Sequence, residues 1–498
     1  MSPSPQKTLA NLVVAATAAG LFLWRENHWR TRLRHPVEMA VSPAAPASQG
    51  TFGGSAAAAP PGMTDNALLE QNADFQKQLL ALQQENGSLQ ARVAELNATI
   101  EASKPPPTPA DLITKFTGQR GLVFDPPLKL QPAPLDDILT KITESVNAVL
   151  PEASADARAR AAVAMGMTNE LFDYRAAMAS LASMTSGGFY QQDTNTLFYR
   201  QEASLLRADG RELFISALAP ALLSQFPLAR QNHYDTGNDD AAIAALSLVN
   251  GDANSARVRF SITDQMAQNF DRAGTPAPGP SSSSAPAYLS EIWKFTHDKG
   301  SLFAEAVIGH GKGGLTALNA AYARPPRTTS EVMHPETLYL GPTPFTPVDI
   351  SLPDPVVAGT VPYFANTAGE FGAYIILRSW FDVDSATVAS EGWMGDRYLI
   401  WKGPETFGDH VFWKTAWRTE QDAREFFDIL RRSLMQRFSI PWRLDYDAVP
   451  NQFTVTDPRR IIRLVLNPAT NAVTLQNSTD PAFAAELEKA AARWQAPG

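Results

Sequence analysis

The chain contains no cysteine among its 498 residues. Disulfides, thiolate zinc sites, iron–sulfur clusters and cysteine nucleophiles are therefore excluded together. Histidine is scarce: His28, His35, His233, His297, His310, His334 and His410 are all there is. Imidazole is the commonest metal ligand and general base, so this short set bounds the chemistry. The closest pair, His28 and His35, is seven residues apart, so no HExxH zinc motif exists anywhere in the chain. A basic excess is lacking as well. Against 51 Asp and Glu stand 42 Lys and Arg, a net charge of −9, which argues against a nucleic-acid partner. A G-x-S-x-G nucleophile elbow, an acidic calcium loop and internal repeats are also missing. Asn238-Asp239-Asp240 is the nearest approach to a calcium loop, and it lacks the required spacing.

What is present suits a folded protein. Hydrophobic residues make up 44% and charged residues 19%, enough apolar surface for a sizeable core. The charge is uneven: residues 1–62 carry +3 and the rest −12. The basic end adjoins an uncharged apolar run, Thr8–Trp24, of 17 residues, the short edge of what spans a bilayer. With its basic flank it is read as an uncleaved single-pass membrane anchor over 1–35, partnering the membrane through residues 8–24. A signal peptide is the second reading. Both orientations, cytoplasmic and extracytoplasmic, fit the flanking charges. Residues 36–64, rich in Ala, Pro, Gly and Ser, form a linker too small-sided to build a core.

Residues 65–102 carry a heptad pattern. Leu68, Phe75, Leu82, Leu89 and Leu96 recur every seven residues, and Asn72, Leu79, Asn86, Val93 and Ile100 follow at an offset of four. These are d and a positions of a coiled coil. Asparagine at two a positions selects a two-stranded parallel register, because each amide bonds its mate, and so predicts a homodimer. The alternative is an amphipathic helix lying on the globular part. Residues 103–110, SKPPPTPA, form a stiff Pro-rich spacer.

Beyond it, 111–498 reads as one α+β, mainly helical globular domain. Helical spacing covers Leu135–Leu150, Ser154–Met165, Phe172–Met184, Arg211–Phe226, Asp239–Val249, Ala253–Phe270, Ser290–Ile308, Leu315–Ala323 and Pro481–Trp494. Asn195–Arg200 reads as a strand, Gly274–Ala287 as a surface loop, and about 440–480 as a small β-meander.

Several ordered blocks carry a resemblance. GGFYQQDTNTLFYR (Gly187–Arg200), SALAPALLSQF (Ser216–Phe226) and LSLVNGDANSARVRF (Leu246–Phe260) occur in that order. GGLTALNAAYARPPRTTSEVMHPETLYL (Gly313–Leu340), ASEGWMGDRYLIW (Ala389–Trp401) and TAWRTEQDAREFF (Thr415–Phe427) follow. Together they resemble a family of bacterial zinc-metallopeptidase-like proteins of the HExxH…E type, over roughly 111 to the end. The resemblance implies a zincin-like fold whose metal centre has degenerated. The first zinc-binding His of the family falls on Ser216, the catalytic Glu on Ala217, the second His on Pro220 and the ligand Glu on Asn250. No metal and no other cofactor is expected.

Tyr190, Glu331 and His334 are the candidate groove residues. Glu331 and His334 sit in TTSEVMHP, which lies near the cleft in the family; the alternative is structural, with Thr329 or Ser330 capping a helix and His334 in a turn before Pro335. Gly309–Gly314 fits GxGxxG by letters, but no strand–helix alternation surrounds it, and a helix–helix turn is the better reading. Trp393, Trp413 and Trp417 are read as core. The expectation is a membrane-anchored, dimeric pseudopeptidase that binds a protein or peptide in the former cleft. The alternatives are a hydrolase using Glu331 and His334 as acid and base, or a structural spacer at the envelope.

Overall fold

The structure is a computed structural model describing residues 65–103, 107–184, 187–234, 237–267, 284–352, 354–403, 408–441, 443–457 and 460–495. The chain divides into two units, 1–86 and 87–498. Helix α1 (Asp65–Ser103) is followed by α2 (Pro109–Arg120), strand β1 (Lys129–Ala133), α3 (Leu135–Val149), α4 (Glu152–Met165) and α5 (Tyr174–Ser183). Then come β2 (Gly188–Gln191), β3 (Thr196–Arg200), α6 (Ala208–Leu223), α7 (Asp239–Ala267) and α8 (Ala287–Lys294). A π-helical turn (Phe295–Lys299) leads into α9 (Gly300–Gly309), α10 (Gly314–Ala321) and α11 (Thr329–Met333). The last part holds β4 (Phe364–Asn366), α12 (Gly369–Arg378), α13 (Val383–Ser390), β5 (Trp393–Trp401), β6 (His410–Trp417) and α14 (Glu420–Arg437). Strands β7 (Gln452–Asp457), β8 (Arg460–Asn467) and β9 (Ala472–Ser478) and helix α15 (Pro481–Gln495) complete it.

The expected membrane anchor is corrected. Among the described residues no helix is long and apolar enough to cross a membrane. The apolar α6 has 16 residues, short of the roughly 20 a span needs, and the 39-residue α1 is interrupted by charge. Residues 8–24 lie outside the described residues, as do the linker over 36–64 and residues 274–283 of the expected loop. The single-pass localisation and the membrane partner rested on that segment alone. Helix α1 forms as the heptads predict, and it leaves Phe75, Leu79, Leu82, Leu89, Val93 and Leu96 exposed.

Two sheets organise 107–495. In the smaller, β3 lies between β1, parallel to it, and β2, antiparallel. The larger is antiparallel in the order β4-β5-β6-β9-β8-β7. The expected meander is thus the outer half of a six-stranded sheet. Its two faces bury different partners. Trp413, Phe453, Ile462, Leu464 and Leu475 face α14, where Phe426 packs at 5.4 Å from the Trp413 ring and 4.4 Å from Trp417. On the other face Phe483 of α15 stacks on His410 at 4.0 Å, and Trp494 meets Phe412 at 4.8 Å. Helix α14 starts where Thr419 and Asp422 form a capping box, each bonding the other's backbone N–H.

Helix α7 is one continuous helix of 29 residues, where the sequence suggests two. Gly251, the apparent breaker, is there for close approach: a Cβ on it would lie 2.1 Å from the carbonyl carbon of Gly300. Below that crossing Asp252 is buried, accepting two bonds from Arg120 at 2.8 and 2.6 Å and one from the Tyr322 hydroxyl at 2.9 Å. The pair fastens α2 and α10 to α7. Both charges are withdrawn from water, so each depends on the other to offset its desolvation.

Asp396 fastens the larger sheet to α12. Its Oδ1 accepts from the Gly369 N–H at 2.8 Å and the Trp393 indole at 3.0 Å. Its Oδ2 accepts from the Ala368 N–H at 3.0 Å and the Trp413 indole at 2.9 Å. Asp396→Asn would turn an amide N–H₂ toward two of these four donors. We expect unfolding free energy, measured by urea titration, to fall by about 3 kcal/mol or more.

Candidate functional site

The four positions aligned with a zinc centre fall on α6 and α7. Ser216 is half-buried, and its hydroxyl donates to the Leu213 carbonyl at 2.7 Å. Ala217 is buried and Pro220 exposed on the last turn of α6. Asn250 is half-buried on α7 and donates its amide to the Thr296 hydroxyl at 3.2 Å. A hydroxyl, a methyl, an imino ring and an engaged amide do not make a zinc site, which needs about three nitrogen, sulfur or carboxylate ligands. Strand β2 also lies against this stretch of α6. A Cβ on Gly187 would stand 1.6 Å from the Leu213 carbonyl oxygen and 2.6 Å from Ser216 Oγ, and one on Gly188 2.9 Å from Ala217 Cβ. Backbone occupies the space beside the first ligand position.

The π-helical turn faces Asn250. Besides the Asn250 bond, Asn254 donates to the Ser301 hydroxyl at 2.9 Å. His297, which the sequence reading left without a role, bonds the Trp293 carbonyl through Nδ1 at 2.8 Å and stacks on that indole at 4.0 Å. Burial pushes its pKa down, so the neutral ring carries its proton on Nδ1. Insertion of a π turn is a common way to re-aim a side chain, and no sequence signal marks it.

The three candidate groove residues do not share one groove. Tyr190 belongs to the β2–β3 hairpin, packs near Leu197 and Phe214, and donates its hydroxyl to Asn195 Oδ1 at 3.1 Å. Glu331 is the third residue of α11 and His334 its C-cap. Glu331 is buried, and its Oε2 accepts from the N–H groups of Arg327 at 2.5 Å and Thr328 at 3.2 Å, completing a capping box. Burial raises its pKa against the pull of those bonds. His334 bonds Glu370 Oε1 through Nε2 at 2.7 Å, and chiefly that bond raises its pKa.

A polar cleft beside Glu331 went unnoticed in the sequence. Its volume is about 260 Å³, and Asp240, Arg327, Asp349, Trp393, Asp396 and Arg397 are among the residues lining it. Arg397 donates to the Gly237 carbonyl at 2.7 Å and Arg327 to the Phe345 carbonyl, so neutral oxygens hold both guanidiniums. Asp240 is at the floor in the first turn of α7, 1% exposed. Its Oδ1 accepts from the Thr329 N–H at 2.7 Å and the Thr329 hydroxyl at 2.6 Å. Burial, with Asp396 and Glu370 nearby, pushes its pKa to about 7 despite those two bonds. A half-ionised buried carboxyl at the floor of a cleft is the kind of group that donates or accepts a proton near neutrality. The one sequence hint was the Asn238-Asp239-Asp240 run. Asn238 proves to be an N-cap, its Oδ1 accepting from the Ala241 N–H at 3.0 Å.

Residues 360–479 match a protein family described as a domain of unknown function (DUF8575). The matched stretch runs from β4 to β9, so it contains the larger sheet with α12, α13 and α14. No curated protein and no solved structure matches the chain.

Asp240 sets a pH signature. Its folded pKa of about 7 lies above the ordinary 3.8, so the folded state holds the extra proton between those values. Stability from this group is full below about pH 4 and is lost as pH rises through 7. Asp240→Asn keeps the oxygen that Thr329 bonds and removes the charge. Thermal melts from pH 4 to 8 should show a decline for the parent, of the order of 4 kcal/mol at most, that the variant lacks.

Proposed function

We propose that the chain is a non-catalytic binding or scaffold protein, built on a degenerate metallopeptidase-like domain and paired through α1. The observation that carries this reading is the donor set Ser216, Ala217, Pro220 and Asn250 at the positions where the family resemblance puts ligands and base. Ala217 cannot take a proton from water, and Asn250 keeps no charge to hold a cation. Partner recognition is assigned to the cleft around Asp240, Arg327 and Arg397. It offers fixed donors and a carboxyl, and it suits a polar protein or peptide segment better than the stretch of α6 beside β2.

The competing reading, a hydrolase with Glu331 and His334 as acid and base, asks both side chains to meet one substrate. Glu331 is spent on the cap of α11 and His334 on Glu370. The first test is zinc content of tag-free full-length protein together with peptide hydrolysis in the presence and absence of chelator. We expect no stoichiometric zinc and no chelator-sensitive hydrolysis; either one found would sink the proposal.

The dimer part has its own support. The heptad row of α1 leaves six large apolar side chains in water. Half of the flanking e and g positions are glutamine, such as Gln76, Gln78 and Gln83, and Glu85 and Arg92 are the charged ones, so an identical parallel helix meets no like-charge repulsion. Light scattering should give twice the 54.0 kDa chain mass. Leu82→Asp with Leu89→Asp should return the single-chain mass without changing the melting of the globular part. A parent that is already monomeric would refute the pairing.

A further inference from the structure

A second cavity, of about 50 Å³, lies where α4, α5, α7, α8 and α12 meet β4 and β5. Most of its wall is apolar, and Ile243, Ile292 and Ile375 belong to it. The polar part is Arg158, Asp239 and the three tyrosines Tyr174, Tyr288 and Tyr398. Arg158 Nη1 donates to both Asp239 oxygens, at 3.0 and 3.1 Å, and Nη2 donates to the Tyr234 carbonyl. This ion pair is internally neutral. Its carboxylate is 28% exposed, which makes it the rim from which a small molecule would enter.

The tyrosines are the unexplained part. Tyr174, Tyr288 and Tyr398 are 9%, 5% and 3% exposed. Among the described residues, neither the Tyr288 nor the Tyr398 hydroxyl has a hydrogen-bond partner. The phenol oxygens and the Arg158–Asp239 pair lie close enough to act on one another electrostatically. Neither oxygen is among the fully buried side-chain atoms left without a partner, so each stays open to a small molecule in the cavity. The phenol hydrogens are available to donate, and the carboxylate in the wall is already paired with Arg158. An oxygen-rich acceptor would meet those hydrogens, and a short alkyl group would meet the isoleucines. A water needs about 10–15 Å³ by this measure, so the space suits roughly four or five heavy atoms.

We propose that this cavity binds a short-chain monocarboxylate of acetate or propionate size. The carboxylate accepts from the Tyr288 and Tyr398 phenols beside Arg158, and the alkyl end lies against Ile243, Ile292 and Ile375. The site is separate from the cleft at Asp240 and does not depend on the reading given under Proposed function.

The probes are sodium acetate, propionate, butyrate and hexanoate, against sodium chloride at equal ionic strength, with the full-length protein. Calorimetry and thermal melts should show saturable binding of propionate and a rise in melting temperature. Hexanoate should be at least about tenfold weaker, because its tail exceeds the space. Tyr288→Phe with Tyr398→Phe removes two oxygens and keeps both rings, and should weaken propionate about tenfold or more. No saturable binding to the parent protein overturns the proposal, as does unchanged affinity in the double variant. If the double variant fails to fold, the size series on the parent decides, and equal binding of propionate and hexanoate overturns it. A crystal grown with propionate that shows water alone between the tyrosines overturns it as well.

Discussion

Asp396 takes four N–H bonds from three elements while 4% exposed. Two come from the backbone where α12 begins, one from the Trp393 indole and one from the Trp413 indole. A buried carboxylate is costly to leave half-satisfied, because each missing donor exposes its desolvation penalty. It therefore fixes the start of α12 against β5 and β6 at once. Even so, burial outweighs the donors and raises its pKa. The geometry has a consequence one residue away. Gly369 gives its N–H to Asp396, has a φ of +75°, and offers its other side to Asp240, where a Cβ would stand 1.9 Å from Oδ1. Two buried carboxyls thus flank one glycine. Mutual repulsion adds to the burial of Asp240, and the poised carboxyl of the cleft follows from the tie that holds the sheet.

The same device, backbone brought where a side chain would not fit, recurs at the other junctions. Gly251 and Gly300 let α7 and the end of the π turn touch. That contact brings Thr296 within hydrogen-bond reach of Asn250. Gly187 and Gly188 let β2 lie on α6 beside Ser216 and Ala217. In the second case the backbone that organises the smaller sheet also fills the space beside Ser216 and Ala217.

Much of the helical part was legible. The apolar spacing of 135–149, 174–183 and 481–495 was readable because each helix has one face to bury and another left more open. Strands β7 and β8 were readable for the matching reason: Phe453 and Val455, then Ile462, Leu464 and Leu466, alternate with residues facing the other side. Strands β5 and β6 were not. They are interior strands covered on both faces, so WMGDRYLIW and HVFWKTAW carry apolar residues at odd and even positions and show no period. Gly251 misled in the opposite direction, since its reason lies on another helix, 49 residues on at Gly300. The tryptophans read as core are core, but two of them also spend their indole N–H on Asp396, and no local pattern announces that.

The sites follow the same rule. Ser216, Ala217, Pro220 and Asn250 stood out only through the family resemblance, since no residue type there marks a site by itself. Asp240 and Arg397 meet across 157 positions of chain, and their meeting depends on how α7 is set against β5. Glu331 and His334 show how a local pattern can mislead. Thr328-Thr329-Ser330-Glu331 is a complete helix-cap sequence, and the cap consumes the carboxylate that looked available for chemistry. Asp240, by contrast, bonds only Thr329 through its carboxyl among the described residues, and burial keeps its proton near neutrality. A carboxyl fully engaged by its own backbone is structural. One buried with too few donors, at the floor of a cleft, retains chemical freedom, and the difference is set by tertiary contacts that a linear reading does not contain.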